Sequence, residues 1–256
     1  MGRKNGNGNR NCHTNDNNGK ENGNSKELVA TKPSNSKKVI KISPKNPRQT
    51  EALRKIKANE IIFLLGPAGS GKTYLAIIQA LQLFLKHDYK RLILTRPVVE
   101  AGENLGFLPG SLEEKTRPYM APIFDHLRGY YKKEELDSQM EEKKIEVIPL
   151  AYTRGRTYNN SLIIADEVQN ATDNQLKMLL TRIGENSKMI LTADPEQTDL
   201  RKSNSIVEIS SKLSEHEGID QCVFELEDIV RNPVIEKILH VFKEIKYEQE
   251  LVQNCV

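Results

Sequence analysis

The stretch Glu60–Thr73, EIIFLLGPAGSGKT, decides the fold of this chain. Its first six residues form a short and mainly apolar run of the kind that makes a buried strand. The apolar residues of Thr73–Leu85 then recur at helical spacing. Between them, GPAGSGKT fits the pattern G-x-x-x-x-G-K-[ST], whose glycines let backbone N–H groups point at anionic oxygens. The stretch therefore predicts a strand, a phosphate-binding loop and a helix that together hold a nucleoside triphosphate.

The side chains around this loop have distinct expected roles. Lys72 is expected to reach the β- and γ-phosphates, and the Thr73 hydroxyl to ligate Mg²⁺. Upstream, the Gln49 amide can donate and accept together, which suits the edge of adenine, although a solvated helix residue is the alternative. The candidate nucleotide-binding residues are Gln49, Gly66, Pro67, Ala68, Gly69, Ser70, Gly71, Lys72, Thr73 and Tyr74.

After residue 38, short apolar runs alternate with longer amphipathic segments. This alternation predicts an α/β fold, with a mainly parallel sheet that is covered by helices on both faces. Strands are expected at Glu60–Leu65, Arg91–Thr95, Ile145–Leu150, Ser161–Ala165, Lys188–Ala193 and Cys222–Leu226. Helices are expected at Thr73–Leu85, Thr172–Ile183, Ser205–Leu213 and Pro233–Lys246.

One connection, residues 97–144, is longer than an ordinary loop. Its first half is rich in glycine and proline, and helices are expected in its second half at Pro118–Gly129 and Lys133–Lys143. Connections beyond about 12 to 15 residues usually carry structure or function. The insertion is therefore either a solvated helical hairpin or a segment that grips a substrate.

Two acids follow the predicted strand Ser161–Ala165. Asp166 is expected to hold Mg²⁺, usually through water, and Glu167 to polarise the attacking water as general base. A pair of acids after a strand can also cap a helix. Because the chain also carries the phosphate-binding loop, we favour the metal and base roles. An acid placed to activate water favours hydrolysis over transfer to a small acceptor.

The predicted strand Lys188–Ala193 also ends in polar residues, in the stretch ADPEQ. In a parallel sheet this end opens into the same crevice as the phosphate-binding loop. Asp194 or Gln197 can therefore sense the γ-phosphate and orient water. The alternative is a simple turn closed by the Asp–Pro pair.

An arginine is also expected near the phosphates, because its guanidinium stabilises the spread charge of a transferring phosphoryl group. Arg231, in the stretch IVRNP after the last predicted strand, is the first candidate. Arg96, Arg154 and Arg156 compete with it for this role.

Arginine and tyrosine interleave in part of the chain, which suits contact with a nucleic-acid backbone and stacking of its bases. For Arg154 and Arg156, contact with phosphate or with another subunit is the alternative. The stretch Tyr130–Lys133 is a second candidate for nucleic acid. The first set of candidates is Arg96, Tyr152, Arg154, Arg156 and Tyr158.

The charge balance is close to even, with 38 Lys and Arg against 35 Asp and Glu. A net charge of +3 is too small for a purely electrostatic nucleic-acid binder. Residues 1–38 hold eight of the basic and three of the acidic residues, which places +5 there and −2 in residues 39–256. We expect a disordered tail over 1–38, which is either a solubilising leader or a weak arm for nucleic acid. Residues 39–256 are expected to form one catalytic domain.

The chain has no apolar run of about 18 residues and no apolar segment at its N-terminus. We therefore expect neither a membrane span nor a signal peptide. Its three cysteines are far apart and lack CxxC spacing, which disfavours a disulfide scaffold or a zinc site. A reducing cytoplasm is the expected location.

Taken together, these motifs resemble those of the PhoH-like ATPases, single-domain relatives of superfamily 1 helicases, over residues 42–247. Ala193, Arg201 and Asn232 depart from the usual pattern, since Gly, Pro and His are common at these positions. The motifs are PRQTEAL (47–53), GPAGSGKT (66–73), LTRPV (94–98), GENLGFLPG (102–110), PLAYTRGRT (149–157), IIADEVQN (163–170), LTADPEQTDL (191–200) and IVRNP (229–233).

The resemblance implies a RecA-like, three-layer P-loop fold and Mg²⁺-dependent ATP hydrolysis coupled to RNA or other single-stranded nucleic acid. Helicases of this type clamp nucleotide between two RecA-like domains, whereas this chain has room for one. We therefore expect a homo-oligomer, a hexamer by resemblance, with ATP at the subunit interfaces. A nucleotide-switched scaffold with slow turnover and a P-loop kinase of a small metabolite are the alternatives.

Overall fold

The computed structural model describes residues 41–86, 88–98, 112–198 and 205–230, with 234, 237, 238 and 241, and from 112 to 115 it describes the backbone only. Several predictions from the sequence lie outside these residues. They are the tail over 1–38, the first half of the insertion, Arg231 and most of the helix expected at Pro233–Lys246.

Six strands form one sheet, and all five pairings between them are parallel. Their order across the sheet is β3-β2-β4-β5-β1-β6. The carboxyl ends of β4, β5 and β1, three strands that are adjacent in this order, therefore lie side by side at one edge. The strands are β1 Ile61–Leu65, β2 Arg91–Arg96, β3 Ile145–Pro149, β4 Ser161–Ala165, β5 Lys188–Ala193 and β6 Ile219–Val223.

Helices cover both faces of the sheet, because alternate residues of each buried strand point to opposite sides. Ile62 and Leu64 of β1 join one core, while Ile61, Phe63 and Leu65 join the other. The predicted three-layer α/β architecture is confirmed. The helices on the first face are α1 Pro47–Ala58, α2 Lys72–Leu85, α3 Leu112–Arg128 and α4 Lys133–Glu141; those on the second are α5 Asp173–Leu180 and α6 Ile206–Leu213.

Helix α1 was not among the helices expected from the sequence, although one interpretation of Gln49 placed that residue on a helix. Asn46 caps its start, since the Asn46 side chain accepts a hydrogen bond from the Gln49 backbone N–H at 2.8 Å. Pro47 occupies the first turn, where its missing N–H has no cost. Only three apolar residues of the helix are buried, so its hydrophobic pattern is too sparse to reveal it.

The last strand was expected at Cys222–Leu226, which is wrong by three residues at each end. The strand begins at Ile219, and residues 226–228 form a 3-10 turn. The polar residues Asp220 and Gln221 are accommodated because β6 is an edge strand and is only partly buried. A continuous apolar run indicates a central strand that is buried on both faces. The prediction relied on such a run and therefore gave the wrong bounds for the edge strand β6.

The two helices expected in the insertion are present as α3 and α4, although α3 begins at Leu112 and not at Pro118. Met120, Ile123, Leu127 and Leu136 on these helices are buried in the core beneath the first face. The helices therefore cover the sheet, and the solvated hairpin is wrong. No helix in the described ranges has both the length and the apolar character needed to cross a membrane.

Gly66 links β1 to the loop that follows it, and substitution of this residue tests how tightly the chain is packed there. Its φ is +137°, and a Cβ there would lie 2.3 Å from the Phe224 carbonyl oxygen. We expect Gly66→Ala to lower the free energy of unfolding by about 3 kcal/mol, through both strain and overlap. Gly155→Ala is the control, since Gly155 has φ +75° and open space around it, and should cost about 1 kcal/mol. Urea denaturation measures both, and equal losses would contradict the packing argument.

Candidate nucleotide site

A cavity of about 490 Å³ lies where the loops after β1, β4 and β5 meet. Ala68, Gly69 and Gly71 of the loop and the first turn of α2 line one side. Glu167 lines it from the loop after β4, and Asp194 and Gln197 line it from the loop after β5. The motifs that the sequence placed far apart thus share one cavity, because three parallel strands deliver their following loops to the same edge.

The loop between β1 and α2 holds a shape that depends on glycine. Gly66, Gly69 and Gly71 all have positive φ, between 90° and 137°. Two backbone hydrogen bonds connect the loop to neighbouring segments of the chain. The Gly66 N–H donates to the Ala193 carbonyl at 3.1 Å, and the Val230 N–H donates to the Gly69 carbonyl at 3.0 Å. Helix α2 begins directly after Gly71, so the positive end of its dipole faces the cavity.

Lys72 is buried at the base of this loop. Its ammonium donates to the carbonyl oxygens of Gly66 at 2.6 Å and Pro67 at 2.8 Å. The cation thus lies beside the N-terminus of α2. Positive charge from these two sources favours an anion at this end of the cavity.

Thr73 and Asp166 lie together, as the metal prediction requires. The hydroxyls of Thr73 and Thr192 both donate to Asp166 Oδ1 at 2.6 Å. Asp166 is only 2% exposed, and its backbone N–H is bonded to the Thr95 carbonyl at 2.9 Å. A fixed carboxylate beside a hydroxyl is a set of hard oxygen donors, which fits Mg²⁺.

Glu167 follows Asp166 in the left-handed region, with φ +57° and ψ +41°. A non-glycine residue held there is strained, and such strain is concentrated at functional sites. Its backbone N–H donates to the Thr192 hydroxyl at 3.3 Å. Glu167 stands at the N-cap position of a 3-10 turn, yet its side chain makes no capping hydrogen bond. The carboxylate accepts from the Gln169 amide instead.

The loop after β5 is a tight turn and also lines the cavity. The Gln197 N–H donates to the Asp194 carbonyl at 3.0 Å, so the turn alternative and the site role are both compatible with the fold. Asp194 is buried, and burial raises the pKa of its carboxyl. The Lys72 ammonium and the backbone N–H groups of Glu196 and Ala68 oppose that shift. Burial outweighs them, and the pKa of Asp194 lies above its usual value.

Gln49 is not the solvated residue that one interpretation expected, because it is only 4% exposed. Its amide N–H donates to the Ser70 carbonyl at 2.9 Å, and its oxygen accepts from the Lys45 N–H at 2.8 Å. These bonds use one N–H and one lone pair of an amide that has two of each. Gln49 lines the cavity, and contact with adenine stays a prediction.

The insertion also reaches the cavity, through His126, a residue that the sequence analysis did not single out. His126 on α3 lines it beside Tyr74, with the two ring centroids 6.4 Å apart. Tyr130 is hydrogen-bonded to Tyr74, and burial with this bond raises the pKa of Tyr130 to about 12. Lys41 and Lys45 line the cavity too, and neither belonged to a motif that pointed to it.

The arginine and tyrosine candidates for nucleic acid fall into two groups. Tyr152 is 45% exposed and Arg154 is exposed, both around a 3-10 turn that follows β3. Arg96 ends β2, in register with Pro149 at the end of β3, so it lies near the start of the same turn. These three residues share the carboxyl edge of the sheet.

Most of the other candidates make contacts within the protein. Tyr158 is 0% exposed within the second core, so its proposed stacking on a base is wrong. Arg156 lies 4.8 Å from the Tyr158 ring centroid, and it donates to both Glu146 carboxylate oxygens at 2.8 and 2.9 Å. In the Tyr130–Lys133 stretch, Tyr130 and Tyr131 pack against the first core and only the lysines are exposed.

The parallel sheet and the glycine loop define the chain as an α/β P-loop NTPase fold with a candidate nucleotide site. The family model for PhoH-like proteins matches residues 41–243, so the chain belongs to the PhoH-like protein family. It is 45% identical over 198 residues to the PhoH-like protein of Synechocystis and 43% identical over 196 residues to that of Bacillus subtilis. These matches cover 77% and 76% of the chain but only 60% and 61% of the relatives.

Protein PhoH of Escherichia coli is 38% identical over 198 residues, which cover 76% of this chain and 56% of that protein. The chain thus spans about 60% of the length of these curated relatives. Among solved structures, the UvsW helicase from bacteriophage T4 is 14% identical over 72% of this chain and 61% of its own, with a TM-score of 0.43. AMPPCP-bound DnaA from Aquifex aeolicus is 19% identical over 76% of this chain and 50% of its own, with a TM-score of 0.31.

Proposed function

We propose that this protein hydrolyses ATP in the cavity at the carboxyl edge of its sheet. The observation that carries the proposal is Glu167, which has a strained backbone and lines the same cavity as Lys72. It directly follows Asp166, the hydrogen-bond partner of Thr73. A carboxylate in this place can take a proton from water that attacks the γ-phosphate. Gln49 and Tyr74 would contact the adenine end of the nucleotide.

In the proposed reaction, the loop N–H groups and Lys72 hold the β- and γ-phosphates. Gln197, with Asp194 beneath it, orients the water. Glu167 accepts its proton as the oxygen attacks phosphorus, and the bond to the bridging oxygen breaks to leave ADP and inorganic phosphate. Mg²⁺, held by Thr73 and Asp166, would neutralise charge on the phosphate oxygens.

We further propose that hydrolysis is coupled to RNA or other single-stranded nucleic acid. The support is the exposed pair Tyr152 and Arg154, near Arg96 on the same sheet edge as the cavity. A tyrosine ring can stack on any base, and an arginine can contact the backbone. The nucleic acid would then lie next to the loops that surround the nucleotide.

We also propose a homo-oligomer, with a hexamer as the expected closed form and nucleotide at the subunit interfaces. The described lining of the cavity has Lys41, Lys45 and Lys72 but no arginine, while Arg231 lies outside the described residues. A neighbouring copy can supply the guanidinium that stabilises the transferring phosphoryl group, as arginine fingers do.

Glu167→Gln separates hydrolysis from binding, because the amide keeps the shape but cannot accept the proton. We expect ATP binding to persist and turnover to fall by about 100-fold or more. Lys72→Ala should weaken ATP binding itself, since it removes the cation. Glu217→Gln is the control, as this exposed carboxylate lies at the opposite edge of the sheet, before β6.

Phosphate release and the binding of a fluorescent ATP analogue measure the two effects. Unaltered turnover in Glu167→Gln would exclude Glu167 as the base and favour a different activity. Phosphoryl transfer to a small acceptor with little hydrolysis would favour the kinase, and very slow wild-type turnover would favour the nucleotide-switched scaffold.

The coupling to nucleic acid is tested by phosphate release with and without a single-stranded RNA oligonucleotide. We expect RNA to stimulate the wild type, and the Tyr152→Ala, Arg154→Ala double variant to bind RNA about tenfold more weakly. Lys212→Ala on α6 is the control, because Lys212 is an exposed lysine on a different helix. Absence of stimulation, or a double variant that binds as the wild type does, would contradict this coupling.

The oligomer is tested by light scattering of the full chain with a non-hydrolysable ATP analogue and Mg²⁺. We expect a molar mass about six times the 29.1 kDa of one chain. A smaller closed ring would correct the subunit number. A strictly monomeric mass at all protein concentrations would refute nucleotide sites between subunits.

A further inference from the structure

We propose that Gln169 is a positioning residue that sets the orientation of Glu167 and ties it to the turn at 194–197. This inference rests on the proposed hydrolysis, in which Glu167 is the base. Gln169 is two residues beyond Glu167, it is only 2% exposed, and sequence reasoning assigned it no role.

The Gln169 side chain joins the loop after β4 to the loop after β5. Its amide nitrogen donates to Glu167 Oε2 and, at 3.1 Å, to the Gln197 carbonyl. Its amide oxygen accepts from the Asp194 N–H at 3.0 Å. The Gln169 backbone carbonyl also accepts from the Thr198 hydroxyl at 3.3 Å. One residue thus contacts the proposed base and both ends of the turn that carries Gln197.

Only a side-chain amide of this length can make this set of bonds. Both N–H groups of Gln169 are donated, and its oxygen accepts, so the buried amide cannot rotate without losing hydrogen bonds. Glutamate can replace the acceptor but neither donor, and leucine can replace none of them. The amide therefore has one fixed orientation. Its hydrogen bonds in turn restrict the positions of the groups that it contacts.

The hydrogen bond from Gln169 also determines which carboxylate oxygen of Glu167 can act as the base. The bond from Gln169 engages Oε2 alone, which leaves Oε1 as the oxygen that can accept a proton from water. The Asp194–Gln197 turn, which we propose orients that water, is held by the same amide. Base and water-orienting turn are thus aligned by one side chain. A displacement of about 1 Å at such a site can cost about 100-fold in rate.

The test compares two variants of Gln169. Gln169→Glu keeps the shape and the acceptor for the Asp194 N–H, and Gln169→Leu removes all three bonds. We expect kcat to fall about 10- to 100-fold in Gln169→Glu and at least as far in Gln169→Leu. The Kd for a non-hydrolysable ATP analogue should change little, because Lys72 and the glycine loop are untouched. Thermal unfolding of each variant shows whether it is folded.

Gln79→Leu is the matched control. Gln79 is another buried glutamine, on α2, and its amide bonds to Gln82 rather than to the site. We expect this variant to lose stability without a comparable loss of kcat per folded molecule. An equal loss of kcat in Gln79→Leu would show that any buried amide matters, and would overturn a specific role for Gln169.

A double-mutant cycle with Glu167→Gln separates positioning from general disruption. If Gln169 acts through Glu167, then Gln169→Leu lowers the residual rate of the Glu167→Gln variant by a smaller factor than it lowers the rate of the wild type. Multiplicative losses would overturn the inference. If Glu167→Gln itself leaves turnover unchanged, then Glu167 is not the base, and the proposed function is refuted independently of Gln169. If it abolishes turnover while both Gln169 variants hydrolyse ATP normally, only the role of Gln169 is refuted.

Discussion

The parallel alignment of β4, β5 and β1 is the constraint on which the rest of the structure depends. Each central strand is buried on both faces, so it pairs along its whole length and ends at the same edge. The loop after β1, the Asp166–Glu167 pair and the Asp194–Gln197 turn leave the sheet there. Three segments spread over some 130 residues of chain are thereby brought around one cavity.

Several polar groups at this edge are buried and hydrogen-bonded to one another. Asp166 accepts from two threonine hydroxyls, one on α2 and one on β5. The Gln169 amide bonds to groups of the loops after β4 and β5, and Lys72 bonds to carbonyls of its own loop. Buried polar groups are costly when unpaired. Their mutual pairing holds the side chains in one arrangement, and a rigid arrangement is what positioning a nucleotide requires.

The insertion shows how a structural element can also serve the site. Helices α3 and α4 close the first face of the sheet next to β2 and β3, with Ile123, Leu127 and Leu136 in the core. Once α3 is packed in this way, His126 on its half-exposed side lies beside Tyr74 at the cavity. A helix that covers the sheet therefore also lines the candidate nucleotide site.

Local patterns in the sequence determined the glycine loop, five of the six strands and the acids at Asp166 and Glu167, because periodicity and short motifs depend on neighbours in the chain. Contacts between distant segments were decided only by the tertiary structure. The burial of Gln49 against Ser70, the burial of Tyr158, and the pairing of Arg156 with Glu146 follow from how the strands and helices pack. The bridge from Gln169 to Asp194 crosses 25 residues, and it forms because β4 and β5 pair in parallel register. No local pattern specifies such a partner, since its energy comes from groups that meet only after the sheet has formed.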